Sequence, residues 1–231
     1  MEFLDRLKGF VRNDISLNHL YLETIKNGNV TKSQLMTELR ERYLASKYTF
    51  VPFMATILAN IKPDDKNLIL VRYTLVNNLF DELGAGKIEN AHINHWHTLL
   101  RGVGFQDKQF LKAKPSRATL NHANAFINIA KTMPTAFSMG AFAYGYEYFV
   151  IFEYSAFLEG CKNLFPNLTA KDLFQLISHI GHDPKHADDA INALRPYVSQ
   201  KKNKKLILGG VKEALSIKRQ YFDTRYKVLK P

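Results

Sequence analysis

The run His179-Ile180-Gly181-His182-Asp183-Pro184-Lys185-His186 decides how this chain is read. His179, Asp183 and His186 follow the spacing H-x3-D-x2-H. On a helix turning by about 100° per residue, offsets of four and seven return to within about 40° of the starting direction. All three side chains can then point one way from one helix. Two imidazoles and a carboxylate on a shared face are a donor set for non-haem iron, with zinc and manganese as competitors. Pro184 complicates the picture, because proline lacks the backbone N–H and crowds the carbonyl four residues back. The helix therefore kinks or restarts there. Read without a metal, the same residues are two surface histidines near a turn, with Asp183 as a cap.

Outward from this run, almost every segment has helical periodicity, and alternating runs closed by hairpin turns are missing. Thr31-Lys32-Ser33-Gln34 is a capping box, and Leu35, Leu39, Tyr43, Leu44 and Tyr48 follow it at helical spacing. A separate helix is predicted over Tyr48–Ile61. Another starts at Pro63-Asp64-Asp65 and carries a broad apolar stripe to Phe80, until Gly84 and Gly86 stop it. The next starts near Lys87 and carries His92, Trp96, Leu99 and Leu100. Pro115-Ser116 opens a helix through Ile129, and Pro134 stands near the start of a long apolar helix reaching about Leu164. Helices over Ala170–Ile180, then to Leu194, and finally over Lys205–Tyr226 complete the chain. The reading is one all-α domain, residues 1–231, a compact multi-helix bundle of about nine or ten helices.

Composition agrees with a folded enzyme. The chain has 231 residues, 46% of them hydrophobic, enough to bury a core and too apolar for disorder. Its one cysteine, Cys161, excludes an internal disulfide and a cysteine-based zinc cluster. The start, Met1-Glu2-Phe3-Leu4-Asp5-Arg6, has acids where a signal peptide has bases. A cytoplasmic location is expected. The apolar stretch from Met133 to Phe157 is interrupted by Glu147 and Glu153, so it reads as a buried helix and not a membrane span. The formal charge of +11 is spread along the chain. Its one tight cluster, Lys201-Lys202-Asn203-Lys204-Lys205, reads as a solvated loop, and no nucleic-acid signature accompanies it.

Further candidate ligands lie upstream. Glu82 sits at a helix C-terminus, where negative charge opposes the macrodipole and a neighbouring cation would relieve it. His92 follows ten residues later, with His95 and His97 as rivals. Glu89 and His92 form a single E-x-x-H pair, and the second pair of a ferritin-type site is missing. Glu147 lies in the most apolar helix, where an unpaired carboxylate costs several kcal/mol or takes up a proton. Glu153 is its rival, and bonding to the neighbouring tyrosines is the alternative to a metal. Together with the H-x3-D-x2-H element, Glu82, His92 and Glu147 would make a six-ligand, two-metal site.

This set resembles the haem-oxygenase-like di-iron oxidases and oxygenases, relatives of the TenA and PqqC proteins. The resemblance rests on the Asp81-Glu82-x-Gly84-x-Gly86 turn, the His92-x3-Trp96-x2-Leu99-Leu100-x3-Gly104 helix, the Tyr144-Gly145-x-Glu147 segment and His179-x3-Asp183-x2-His186. It implies a haem-oxygenase-like, TenA/PqqC-like bundle with two Fe(II)/Fe(III) ions on Glu82, His92, Glu147, His179, Asp183 and His186. O2 would be the co-substrate, and an amine, amino acid or fatty acid the small molecule oxidised. No catalytic group is expected beyond the metal ligands. Tyr21, Phe137, Met139 and Tyr144 are the expected pocket residues. A branch resembling the chlamydial p-aminobenzoate synthases uses a first-helix tyrosine, matched by Tyr21, and a lysine where this chain has Phe157. That activity is not expected, and neither is thiaminase chemistry, since Cys161 lies too far along its helix. Other readings are a TenA/PqqC-like or haem-binding relative without a di-iron site, with His19 as an axial ligand, or a non-catalytic interaction protein. The expected partner is a small-molecule substrate, with no nucleic acid or membrane, and a homodimer is compatible with the reading.

Overall fold

The computed structural model describes residues 2–62, 68–181 and 183–230, without the side chains of Leu68, Asp183 and Pro184. No strand occurs among them. In chain order the helices are α1 (Glu2–Arg12), α2 (Leu20–Lys26), α3 (Lys32–Asn60), α4 (Leu68–Glu82), α5 (His92–Gly102), α6 (Asp107–Leu111), α7 (Arg117–Thr132), α8 (Thr135–Phe142), α9 (Phe149–Leu164), α10 (Phe174–Gly181), α11 (Asp183–Asn192) and α12 (Lys201–Leu229). A π-helical segment, Ala143–Tyr148, joins α8 to α9. The predicted start at Pro63-Asp64-Asp65 lies outside the described residues.

The capping box forms as read: Gln34 N–H donates to Thr31 Oγ1 at 3.2 Å, and Thr31 N–H to Gln34 Oε1 at 2.8 Å. The predicted break at Tyr48 does not occur. α3 runs unbroken for 29 residues, through Pro52. Packing overrides the proline: Thr49, Phe50, Phe53, Met54 and Ile57 are all buried, and Phe53 meets Phe126 of α7 edge-on. The lysine cluster is also a correction. Lys201–Lys205 is the start of α12 and not a loop. Four cations at a helix N-terminus oppose the macrodipole, so the buried residues further along, among them Ile207, Val211, Ala214 and Leu215, must hold this end helical.

α8 lies directly against α12. A Cβ on Gly210 would come within 2.0 Å of the Phe137 carbonyl oxygen, and one on Gly140 within 2.4 Å of that of Ile207. The two backbones touch where neither has a side chain. The apolar run from Met133 to Phe157 ends up inside the bundle, and no helix among the described residues is long and apolar enough to cross a membrane. The hydrophobic core extends from Leu4 and Leu7 in α1 to Leu229 in α12.

Buried ion pairs form two clusters among the described residues. Glu38 accepts from Arg225 and from the Tyr21 hydroxyl, the latter at 2.9 Å. Glu153 lies 2.8 Å from both Arg42 Nε and Lys218 Nζ. Burial alone would raise the Glu153 carboxyl, but the two cations outweigh it and hold it below its ordinary value. Burial brings Lys218 down to about 8.

Candidate metal centre

The turn between α4 and α5 builds the first half of the site. Gly84 and Gly86 have φ of 99° and 87°, the left-handed region where a side chain is strained. At Gly84 a Cβ would also stand 2.1 Å from the Lys87 carbonyl oxygen. The amides of Gly84 and Ala85 donate to the carbonyls of Asp81 and Phe80, closing the end of α4. The predicted helix from Lys87 begins instead at His92, after a 3-10 turn at Ile88–Asn90. Glu82 therefore ends one helix, His92 starts the next, and His92 Nδ1 lies 2.6 Å from Glu82 Oε2.

His179 arrives from α10. Its ring centroid is 4.8 Å from that of His92 and 4.9 Å from that of Tyr154. Ligand atoms from Glu82, His92 and His179 all lie within 4.8 Å of one another. His179 Nδ1 is 2.7 Å from the Gln175 carbonyl oxygen. A carbonyl only accepts, so Nδ1 carries the proton and Nε2 keeps its lone pair, which is the tautomer a metal requires. Burial, followed by the neighbouring His92, keeps the His179 imidazole neutral well below its ordinary range. The Gln175 side chain braces the other helix. With its amide turned to satisfy both neighbours, it accepts from the Trp96 indole at 3.1 Å and donates to the His92 carbonyl at 2.9 Å.

The remaining candidates meet the last turn of α4. Glu147, 1% exposed, accepts from Asn78 Nδ2 at 3.1 Å. His186 Nε2 is 3.0 Å from Asp81 Oδ2. Asn78, Asp81 and Glu82 are spaced three and four apart, so they are neighbours on one helix surface. The Asn78–Glu147 contact therefore lies one turn from Glu82 on the same face. Glu147 lies in the π-helical segment, a form that often marks functional positions. α10 ends at Gly181 and α11 begins at Asp183, so His179 and His186 stand on separate helices. The Asp183 side chain lies outside the described residues.

The rivals are placed elsewhere. His95 rests edge-on against Phe174, and His97 lies 3.2 Å from the Tyr43 hydroxyl and beside Phe110. Glu153 belongs to the Arg42–Lys218 group, and Glu89 is exposed. His19 caps α2 through Nδ1 and meets Asp223 through Nε2. Of the expected pocket residues, Tyr21 is tied to Glu38, and the Tyr144 hydroxyl donates to the Leu4 carbonyl at 2.7 Å. Phe137 packs on Gly209 and Gly210, and Met139 is fully buried. A cleft of about 190 Å³ does open beside Glu82, between Lys47 of α3 and Leu83, Ile93 and Trp96, and Tyr21, Phe137, Met139 and Tyr144 are not among its lining residues. Gln175, Asn78 and Asp81 carry no ligand motif; Gln175-x3-His179, one turn apart, was the available signal.

A model of the family described as iron-containing redox enzymes matches residues 38–219. The 4-aminobenzoate synthases of Chlamydia muridarum and Chlamydia trachomatis are each 25% identical over 190 residues, covering 81% of this chain and 75% and 77% of theirs. Among solved structures, a CADD-like protein of unknown function from Nostoc punctiforme superposes with a TM-score of 0.81 at 14% identity, covering 99% of this chain and 97% of that one. A domain of unknown function with a haem-oxygenase-like fold from Shewanella denitrificans gives 0.75 at 18%, covering 97% and 92%. A TenA homologue from Pseudomonas syringae gives 0.73 at 12%, covering 98% and 90%. At these identities the likeness establishes the fold: an all-α, haem-oxygenase-like bundle, as the sequence predicts.

Proposed function

The chain belongs to the iron-containing redox enzymes, and from that premise we propose that it is a non-haem di-iron oxidase or oxygenase. Its substrates would be O2 and a small molecule of the amine, amino acid or fatty acid class. The observation that carries this reading is the convergence of Glu82, His92 and His179, with ligand atoms within 4.8 Å of one another. A carboxylate and two imidazoles suit iron. In the proposed site Glu147, Asp183 and His186 complete the ligand set around two ions. Iron, when bound, supplies one-electron chemistry with O2.

The chain's own residues do the rest. The Gln175 carbonyl fixes the His179 tautomer, and its side chain holds α5 against α10. Tyr154 packs on His179 and Trp96 on Tyr154, each 1% exposed, and they close the His179 side of the site. The carboxylates offset the charge of the metal in a core that otherwise disfavours ions. The cleft beside Glu82 offers a small molecule an approach, with Lys47 among its lining residues. The activity of the chlamydial relatives is not part of the proposal. Phe157, which stands where their branch uses a lysine, is fully buried and meets Tyr21 edge-on.

Protein loaded anaerobically with Fe(II) is expected to consume O2 in an oxygen electrode in proportion to the iron bound, while zinc-loaded protein consumes none. Iron-loaded protein that takes up no O2 would remove the oxidase reading and leave a metal site of another kind.

A further inference from the structure

α7 and α12 pack against each other, and a cleft of about 240 Å³ opens between them. Its rim is polar and exposed, with Arg117 and Asn121 from α7 and Gln220 from α12. Its inner wall is buried: His122 is 3% exposed and Ile217 7%. His122 Nδ1 lies 3.5 Å from the Thr49 hydroxyl of α3, and Nε2 has no hydrogen-bond partner among the described residues. A buried polar atom left unpaired costs stability, so it marks a place where a partner from outside is worth most. None of the candidate metal ligands lines this cleft.

We infer that the cleft binds a small carboxylic acid as its carboxylate, with Arg117 and His122 as donors. Three observations select that chemistry. The first is charge. Arg117 is the one charged residue lining the cleft, and no carboxylate faces it among the described residues. Burial, followed by the charges of Lys218 and Arg42, keeps the His122 imidazole neutral well below its ordinary range. A field that opposes a proton on this ring favours an anion beside it. The second is the donor set. With the Thr49 hydroxyl donating to Nδ1, the proton of the neutral ring sits on Nε2 and is free to donate to a carboxylate oxygen. Arg117 supplies the guanidinium fork that matches a carboxylate. The third is the wall. Ala118, Ala125 and Ile217 are apolar, which suits an acid with a short apolar body and leaves a bare inorganic anion unmatched. The volume is below the roughly 300–1,000 Å³ of pockets for drug-sized ligands, so the acid is small. The inference does not depend on iron.

The test is calorimetric titration of the full chain, before and after loading with Fe(II), with benzoate, benzamide and benzylamine, which share a ring and differ in charge. Benzoate is expected to bind at millimolar concentration or tighter, benzamide about 10-fold more weakly, and benzylamine not at all. Sulfate should not compete with benzoate. His122→Phe keeps a ring without its nitrogens and should abolish benzoate binding. Arg117→Gln on the exposed rim should weaken it about 10-fold, and Ala125→Phe should block it by filling the cleft. These two variants decide the matter even if His122→Phe does not fold. His179→Ala should bind benzoate as wild type does, which separates the cleft from the metal centre. Failure of both benzoate and hexanoate to bind, benzylamine or sulfate binding as well as benzoate, undiminished binding in Arg117→Gln or Ala125→Phe, or binding lost in His179→Ala would each overturn the inference.

Discussion

His179→Ala is expected to weaken Fe(II) binding by on the order of 100-fold or more, because outer-shell partners of metal ligands alone are worth about 10–100-fold. The helical fold should survive. The lost side chain is neutral, and its short hydrogen bond is to the Gln175 carbonyl of its own helix. His95→Ala is the matched control. It removes an imidazole from the neighbouring helix, but that ring rests on Phe174 and not on Glu82. Calorimetric titration of anaerobic protein with Fe(II) should find the His95 variant near wild type and the His179 variant without measurable binding. Equal losses in both would mean that the histidines act by general charge and not as ligands.

Glu153→Ala should cost about 3–5 kcal/mol of folding stability, the usual penalty for breaking a buried ion pair from one side. Here one carboxylate serves two buried cations, Arg42 and Lys218, each 1% exposed. Urea denaturation measures the loss. Its pH dependence carries a second signature. Lys218, already lowered by burial to about 8, falls further once Glu153 is gone. In the variant the folded lysine then sheds its proton below pH 8, while the unfolded one holds it to near 10.5. The unfolded state binds more protons in that window, so the variant gains stability as pH rises. The wild-type lysine stays charged until about pH 8, so the deficit should shrink as pH approaches that value. A deficit independent of pH would mean that Lys218 does not feel Glu153.

The same residue shows what the sequence could and could not reveal. Glu147 and Glu153 share one apolar stretch, and nothing local separates them. Arg42 and Lys218, which claim Glu153, come from α3 and α12, and Asn78, which meets Glu147, comes from α4. Histidines 92, 95 and 97 were equally inseparable, because their seating depends on Phe174 and Phe110 from other helices. Local chemistry was legible where it acts alone. Thr31 and Gln34 cap a helix without outside help, and Gly84 enforces the turn that sets Glu82 against His92. The continuation of α3 through Pro52 and of α12 through its lysines was hidden, because tertiary packing overrode local preference in both. The π-helical segment Ala143–Tyr148 has no composition that announces it.

The central claim, that the chain holds a pair of irons around Glu82, His92 and His179, is tested most directly by Mössbauer spectroscopy of protein titrated anaerobically with ⁵⁷Fe(II). The account predicts saturation at two ferrous ions per chain, and no such signal in His179→Ala. Saturation at one iron would contradict the di-iron reading, and no bound iron, or binding unchanged by His179→Ala, would contradict the site itself.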